Sequence, residues 1–446
     1  MERSVASVTL KEALIPLTGS AAGDIDPLLK MVGEARVVFI GEATHGTHEF
    51  YRMRAEITKR LIVEKRFTVV GIEGDWPDAY RVNRYVQGAN DDREAVESLA
   101  GFKRFPTWMW RNAEVLDFVS WLREYNDRVP KRHLKVGFYG LDLYSMYASI
   151  DAVLAYLDKV DPQAAATARR RYECLEPYEE HPEQYGLATR TGAPSCREDV
   201  LATLMDIQDQ SARYARRDGV VAADECFYAE QNARIVANAE HYYRAMVDEV
   251  VSTWNLRDAH MIDTLYRLRD HLARHYGATP KVVVWAHNSH VGDARATSMS
   301  QRHETNIGAM ARRIFVGDSV LVGFTTYTGT VTAASEWHEP EERKRVRPAR
   351  ADSYEGLFHR LGVPNFFLPL RDHRAGLSDL PKQARERAIG VIYKPETEIF
   401  SHYFVSDLLH QFDAVYHYDV TRAVEPLERT QRWVTGEPPE TYPSAL

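Results

Sequence analysis

The amino-acid sequence predicts an α/β fold with a mostly parallel central sheet, helices on both faces and an inserted helical subdomain. The first observation is an alternation of short, nearly continuous apolar runs with amphipathic stretches, which is typical of strands covered on both faces. The second is that residues 148–278 contain helical patterns but no convincing strand. The third is composition, since 44% of the 446 residues are apolar, which suffices for a large buried core.

We therefore expect a single domain over residues 1–446, with a core formed by 30–147 and 279–425, a helical insertion at 148–278 and an irregular tail at 436–446. The insertion would divide the sheet-forming sequence into two halves. The tail reads GEPPETYPSAL, and its prolines disfavour regular secondary structure.

Seven apolar runs are predicted as strands. They are rich in Val, Ile and Phe, and several of them end in a glycine that an acidic or polar residue follows. Because ligands of open α/β sheets bind beyond the carboxyl ends of the strands, these polar residues are candidates for a site. The runs are residues 35–42, 67–74, 134–142, 280–288, 320–327, 365–370 and 388–393.

Helices are predicted where apolar residues recur at helical spacing. Within residues 47–65, the predicted apolar face consists of Phe50, Met53, Ile57 and Leu61, and Thr47 is the predicted N-cap. The other predicted helices are residues 109–127, 161–173, 198–217 and 224–277, with a loop-like stretch at 176–199 and an exposed, charged loop at 336–352.

Charge and cysteine content exclude several classes of protein. The formal net charge is −8, so the chain lacks the positive footprint of a general nucleic-acid binder. Three cysteines, Cys174, Cys196 and Cys226, are too few and too widely spaced for a disulfide framework or a CxxC site. No apolar run reaches the roughly 18 residues that cross a bilayer, and the N-terminus lacks a continuous apolar signal. We expect a cytoplasmic protein whose partner is a small molecule rather than a nucleic acid or a membrane.

Several common catalytic motifs are absent from the sequence. It contains no GxSxG nucleophile elbow, no GxxxxGK[ST] phosphate loop, no GxGxxG fingerprint and no HExxH zinc motif. The nearest approach is HEFYR at residues 48–52, which has arginine where a second zinc ligand is needed. These variants of hydrolase, nucleotide and zinc chemistry are therefore excluded.

Glu42 and His45 form the first candidate site. They lie in GEATHG (41–46), directly after a predicted strand, and the two glycines would let the backbone turn sharply. A carboxylate beside an imidazole orients the ring and stabilises its protonated form, as a general base requires. The alternative is a turn with an incidental histidine, although loops at strand ends are enriched in functional residues.

His287 and His290 form the second candidate site, in HNSH directly after the apolar run 282–286. The two rings can converge only if the backbone leaves the strand between them, because alternate strand residues face opposite sides. They could donate hydrogen bonds to a developing oxyanion, ligate a metal, or be core-edge histidines held by backbone groups. The residues alone leave these three alternatives open.

Acidic residues at strand ends form the third group. Glu73 with Asp75 ends one predicted strand, and Asp142 ends another. In a parallel sheet they would gather at the same edge as Glu42. Arg54 lies on the helix that follows the first candidate site, where it could serve the site or form a surface salt bridge.

Longer blocks of sequence resemble the erythromycin esterase family. The run GEATHGTHEFYRMRAEITKRLIVEKRFTVVGIEGDW, beginning at Gly41, is similar to the family signature. HNSH at 287–290, WLREYN at 121–126 and AIGVIYKPETEIFSHYF at 388–404 are similar to further family blocks. The resemblance extends over roughly residues 20–430 and implies an α/β sheet with packed helices and a helical insertion.

The resemblance also implies an activity, because characterised members hydrolyse the lactone ester of 14-membered macrolides without a metal. By motif position, His45 would activate water, and Glu42 matches the family glutamate. Arg54 matches the arginine of the next helix. The later paired histidines match His287 and His290, and the strand-end glutamate matches Glu73.

Three hypotheses follow. The first is a metal-independent hydrolase of a carboxylic ester or lactone that needs no cofactor, with His45 as base, Glu42 orienting it, and His287 with Arg54 or His290 stabilising the oxyanion. The second is a metal-dependent hydrolase that uses the same glutamate and histidines. The third is a binding or biosynthetic homologue without activity. The substrate and the oligomeric state are left open.

Overall fold

The computed structural model describes residues 9–131, 134–215, 219–248, 251–374, 377 and 379–436. Apart from residue 436, the tail predicted as irregular lies outside the described residues. The chain divides into two compact units. The first comprises Met1–Val70, Tyr85–Gly137 and Lys281–Leu446, and the second comprises Gly71–Arg84 and Phe138–Pro280.

Strands and helices alternate along most of the chain. In chain order the strands of the described residues are β1 (Ile15–Pro16), β2 (Val37–Ile40), β3 (Val69–Asp75), β4 (Gly137–Asp142), β5 (Val282–Trp285), β6 (Ser319–Ala333), β7 (Glu342–Val346), β8 (Asn365–Leu368), β9 (Ala384–Arg387), β10 (Tyr403–Ser406) and β11 (Ala414–Thr421). The helices are α1 (Leu10–Ala13), α2 (Ala21–Val32), α3 (His48–Lys65), α4 (Trp76–Gln87), α5 (Ala95–Ser98), α6 (Ala113–Asp127), α7 (Met146–Val160), α8 (Pro162–Tyr172), α9 (Glu183–Arg190), α10 (Arg197–Ala215), α11 (Gly219–Ala245), α12 (Thr253–Tyr276), α13 (Asn288–Val291), α14 (Ile307–Ile314), α15 (Tyr354–Arg360), α16 (Leu370–His373), α17 (Glu398–Ser401), α18 (Leu408–Gln411) and α19 (Gln431–Thr435).

The first unit is built on a mostly parallel sheet with the strand order β1-β8-β11-β6-β2-β5. Strand β2 is parallel to both β5 and β6, and β11 is parallel to β6. Antiparallel β8 and β1 form one edge. Ile40 pairs with Trp285 and with Val322, so the carboxyl ends of β2 and β5 lie side by side. The predicted α/β class with a mostly parallel sheet is confirmed.

Helical cover explains why the central strands are apolar throughout. All four residues of β2 and all four of β5 are buried, as expected for strands covered on both faces. Phe50, Ile57 and Leu61 of α3 are buried as well. Thr47 occupies the predicted N-cap position, but its hydroxyl bonds to the hydroxyl of Thr44 rather than to a helix amide.

The second unit is mainly helical. Helix α11 packs against α7, α9, α10 and α12, and Ala229, Ala233 and Val236 lie in its buried core. Two local expectations were wrong in this unit. The stretch 176–199 contains helix α9, and Cys174 and Cys196 form a disulfide.

Two expectations in the first unit were also wrong. The charged segment 336–352 contains β7, which forms an antiparallel hairpin with β6. The prediction relied on the charged composition of this segment and overlooked an alternation of burial along the strand, in which Lys344 and Val346 are buried. The run 388–393 does not form a strand. Its residues Ile389 and Tyr393 instead pack in an apolar cluster with residues of the β6–β7 hairpin. Of the described helices, none combines the length and apolar character needed to span a bilayer.

Candidate active site

The loop after β2 is fixed by close contact with the loop after β5. The Gly41 amide donates to the Val322 carbonyl at 2.8 Å, and the Asn288 amide donates to the Glu42 carbonyl at 2.8 Å. A Cβ on Gly41 would lie 2.2 Å from Asn288 Oδ1. Only glycine allows this approach, which places Glu42 beside the start of α13.

The rest of the loop is tied to two other segments of the first unit. The Ile389 amide donates to the Ala43 carbonyl at 2.8 Å, and the His45 amide donates to the Ile389 carbonyl at 3.3 Å. A Cβ on Gly46 would lie 1.9 Å from the Thr332 carbonyl oxygen. Backbone contacts on both sides therefore hold His45 in one orientation.

Glu42 and His45 form a buried pair. His45 Nδ1 lies 2.9 Å from Glu42 Oε1, and the two side chains are 9% and 1% exposed respectively. A carboxylate acts as the acceptor, so Nδ1 carries the proton and Nε2 keeps the lone pair. The Tyr51 hydroxyl donates to the His45 carbonyl at 3.0 Å, which anchors the backbone of the same residue.

Arg54 lies behind Glu42. Its Nη2 is 2.9 Å from Glu42 Oε2, and its side chain is fully buried. The guanidinium packs over the rings of Tyr51 and Trp285, at 4.3 and 5.2 Å from their centres. Within the described residues, Arg54 Nε and Nη1 have no hydrogen-bond acceptor. The positive charge of Arg54 is therefore directed mainly at Glu42.

His287 presents the opposite hydrogen-bonding character. It is the N-cap of α13, and its Nδ1 accepts from the Ser289 amide at 3.2 Å and lies 2.8 Å from Ser289 Oγ. Because Nδ1 is an acceptor, the neutral ring carries its proton on Nε2. The His45 and His287 rings have centroids 4.8 Å apart. The structure thus juxtaposes an imidazole suited to accept a proton with one suited to donate a hydrogen bond.

His290 occupies a different position from His287. It lies within α13 and is 2% exposed, and its amide donates to the His287 carbonyl at 2.9 Å. The His45 ring contacts the ring of His287.

Glu73 and Asp142 are brought together in the second unit by a residue that sequence reasoning missed. Arg257 of α12 donates from Nη2 to Glu73 Oε1 at 2.7 Å and to Asp142 Oδ2 at 2.7 Å, and from Nε to Asp142 Oδ1 at 3.0 Å. Burial opposes the charge of Arg257, but Asp142 and Glu73 outweigh burial and raise its pKa. A usable signal was present, since Arg257 shares a helix face with apolar Met261 and Leu268.

The donor set bears on the metal-dependent hypothesis. Among the described residues, no three His, Cys, Asp or Glu side chains are arranged to hold a metal ion. One oxygen of Glu42 contacts His45 and the other contacts Arg54. The geometry therefore adds no support for metal ligation by Glu42, His45, His287 and His290.

Comparisons with known proteins agree with the fold. The family profile described as "Erythromycin esterase" matches residues 62–421. The chain is 21% identical to an erythromycin esterase type II of Escherichia coli over 392 residues, which cover 81% of this chain and 87% of that protein.

Two solved structures share the fold. A succinoglycan biosynthesis protein superposes with a TM-score of 0.73 at 21% identity, covering 94% of this chain and 97% of the other. A mutant of the erythromycin esterase EreC in its open conformation gives 0.64 at 16% identity, covering 90% and 94%. Since the profile match alone extends over more than half of the sequence, the chain belongs to the erythromycin esterase family.

Proposed function

We propose that this protein is a metal-independent hydrolase of a carboxylic ester or lactone, in which His45 activates water. The observation that carries the proposal is the pairing of two imidazoles of opposite hydrogen-bonding character, with ring centroids 4.8 Å apart. Glu42 sets the tautomer of His45, and Ser289 sets the tautomer of His287. Ester hydrolysis needs both roles, a base for water and a donor for the oxyanion.

The reaction begins with water between the imidazole of His45 and the substrate carbonyl. His45 Nε2 takes a proton as the water oxygen bonds to the carbonyl carbon, and Nε2–H of His287 donates to the oxyanion that forms. When the tetrahedral intermediate collapses, the carbon–oxygen bond to the leaving alcohol breaks. The imidazolium of His45 returns its proton to that alcohol, so one water is consumed, and an ester yields an acid and an alcohol whereas a lactone yields one hydroxy acid.

Glu42 and Arg54 prepare the base. Glu42 accepts from Nδ1 of His45, so it orients the ring and stabilises the imidazolium that exists during the reaction. Arg54 is fully buried behind Glu42, so we assign it a positioning role through that carboxylate rather than contact with the oxyanion. Removal of one oxyanion donor typically costs about 10²–10³-fold in rate, and we assign that share to His287.

Glu73, Asp142 and His290 remain supporting residues in this proposal. Both carboxylates are bound to Arg257, so they are better suited to hold strand ends β3 and β4 to α12 than to transfer protons. His290 is a candidate for substrate binding. The cytoplasmic location and a small-molecule partner remain expectations from the sequence.

One assay tests the substrate class. Purified protein is incubated with erythromycin and with a panel of simple esters and lactones, and products are sought by mass spectrometry as a gain of one water. We expect turnover of at least one ester or lactone that resists chelators and disappears in His45→Asn. Activity that is lost to a chelator and restored by a divalent metal would contradict metal independence. Turnover by His45→Asn at the wild-type rate would contradict the role of His45.

A further inference from the structure

Asp413 is a buried carboxylate at the centre of a cluster of arginines in the first unit, of which Arg371 and Arg374 are partly exposed. It precedes β11, and its Oδ2 accepts from the Leu321 amide and from Arg312 Nη1, both at 2.8 Å. Arg371 Nε donates to Oδ1 at 2.9 Å, and Arg374 Nη2 donates to the same oxygen at 3.3 Å. One fully buried carboxylate is therefore shared by three guanidinium groups.

This cluster has more positive charge than its carboxylate can neutralise. Burial alone would raise the pKa of Asp413, but hydrogen bonds from Arg371 and Arg312 outweigh burial and lower it, so the carboxylate is ionised. Burial and the charges of Arg312 and Arg371 lower the pKa of Arg374. For Arg374 burial is the largest cause of the lowered pKa, and repulsion by Arg312 and Arg371 adds to it against the attraction of Asp413.

Arg312 carries an unused donor. Its Nη1 is bound to Asp413, whereas its Nη2 is buried and has no hydrogen-bond partner among the described residues. Buried guanidinium nitrogens are normally hydrogen-bonded, so Arg312 has a donor that its contacts with the described residues do not use.

Arg312 and Arg374 both line a cleft with a volume of about 720 Å³. This volume lies within the range of roughly 300–1,000 Å³ that is typical of small-molecule sites. Gln383 adds amide donors to the lining. The cleft is therefore of a size and donor character suited to a small ligand with an oxyanion group.

The acidic residues of the lining are already paired. Asp293 binds Arg295 through two contacts of 2.9 and 2.5 Å, and Asp407 binds His410 at 2.7 Å. These local pairs reduce the negative charge that the two acids present to the cleft, and Asp293 retains a favourable interaction with Arg374. The Asp413 cluster and the candidate active site lie at different positions along the sheet. Asp413 binds Leu321 of β6, which pairs with Phe39 inside β2, whereas Glu42 and His45 follow the carboxyl end of β2.

We propose that this cleft binds an oxyanion group, phosphate or carboxylate, of a small anionic ligand through Arg312 and Arg374. Guanidinium groups suit both anions, since their paired N–H donors match two oxygens of a phosphate or carboxylate. The proposal concerns a site separate from the Glu42–His45–His287 group and does not depend on the proposed hydrolase activity.

The test is isothermal titration of the full chain with inorganic phosphate and, separately, with citrate, at low salt. We expect saturable one-site binding of at least one of these probes, weakened by added NaCl as the screening of an ionic contact requires. The better of the two probes distinguishes a phosphate ligand from a carboxylate ligand. Absence of saturable binding of both probes at millimolar concentration would overturn the proposal.

Variants locate the binding. Arg374→Gln should weaken it about 10- to 100-fold, the usual effect of losing a charge-assisted hydrogen bond. Arg350→Gln is the matched control, because Arg350 has a similar side-chain exposure of 42% against 39%, pairs with Asp352 and does not line the cleft. His45→Asn should also leave binding unchanged. Equal loss in the Arg374 and Arg350 variants, or loss in the His45 variant, would overturn the proposal.

A second variant covers the case in which Arg374→Gln does not fold. Gln383→Glu adds a negative charge to the cleft lining at an exposed residue, so the fold should tolerate it. We expect phosphate or citrate binding to weaken at least about tenfold through repulsion. Unchanged affinity in this variant would place the anion elsewhere and contradict the assignment.

Discussion

The buried ion pair of Glu42 with Arg54 allows a sharp test of how the candidate site is held together. Replacing Arg54 by Met keeps an apolar side chain against Tyr51 and Trp285 but leaves the Glu42 carboxylate buried without its cation. Breaking a buried pair from one side typically costs about 3–5 kcal/mol, because an uncompensated charge remains. We expect the free energy of unfolding to fall by that amount in Arg54→Met, and by a similar amount in Glu42→Gln.

The double variant separates the pair from the rest of the packing. With both charges removed, no buried charge is left, so Glu42→Gln combined with Arg54→Met should cost less than the sum of the two single changes, by about 0.5–3 kcal/mol. Arg36 provides the matched control, since it approaches Asp318 at 2.8 Å while its side chain is 49% exposed. Arg36→Gln should cost about 0–1 kcal/mol.

Urea unfolding followed by tryptophan fluorescence gives these free energies. Because the chain has two compact units, more than one transition can occur, and hydrogen exchange of the β2 amides identifies the transition of the first unit. Additivity of the two single changes to within about 0.5 kcal/mol would refute the reasoning. So would an Arg54→Met variant that is no less stable than Arg36→Gln.

Three further predictions concern the base, its loop and a buried carboxyl. His45→Asn should lower kcat on a confirmed ester or lactone by about 100- to 10,000-fold with an unchanged Tm; comparable turnover with intact protein would contradict it. Gly46→Ala should lower Tm and activity, because its Cβ would lie 1.9 Å from the Thr332 carbonyl oxygen, whereas Gly390→Ala, with open space around its Cβ, should change neither. Burial raises the pKa of the Glu386 carboxyl to about 8. The contribution of this carboxyl to the free energy of unfolding is therefore fully present below about pH 4 and is lost as the pH rises to about 8. Glu386→Gln should therefore gain Tm relative to the wild type between pH 5 and 9; parallel Tm curves for the two proteins would show that the carboxyl does not titrate there.

Local sequence patterns were sufficient for the class of fold and for the position of several candidate residues. Apolar runs predicted β2 and β5, and helical spacing predicted α3, because strand burial and helix faces depend on neighbours a few residues apart. The same patterns failed at β7, where charged side chains covered an alternating strand, and at residues 388–393, where an apolar run packs on a hairpin instead of forming a strand.

The sequence by itself determined that Glu42 and His45 lie three residues apart after a strand and that His287 follows another strand, since these are facts of local order. Only the tertiary structure decided that the rings of His45 and His287 are 4.8 Å apart, that Arg54 is buried behind Glu42 rather than at the surface, and that Arg257 joins Glu73 to Asp142. The physical reason is that tautomer, charge and burial depend on partners distant in sequence. Those partners become neighbours only when strands from separate parts of the chain pair in register.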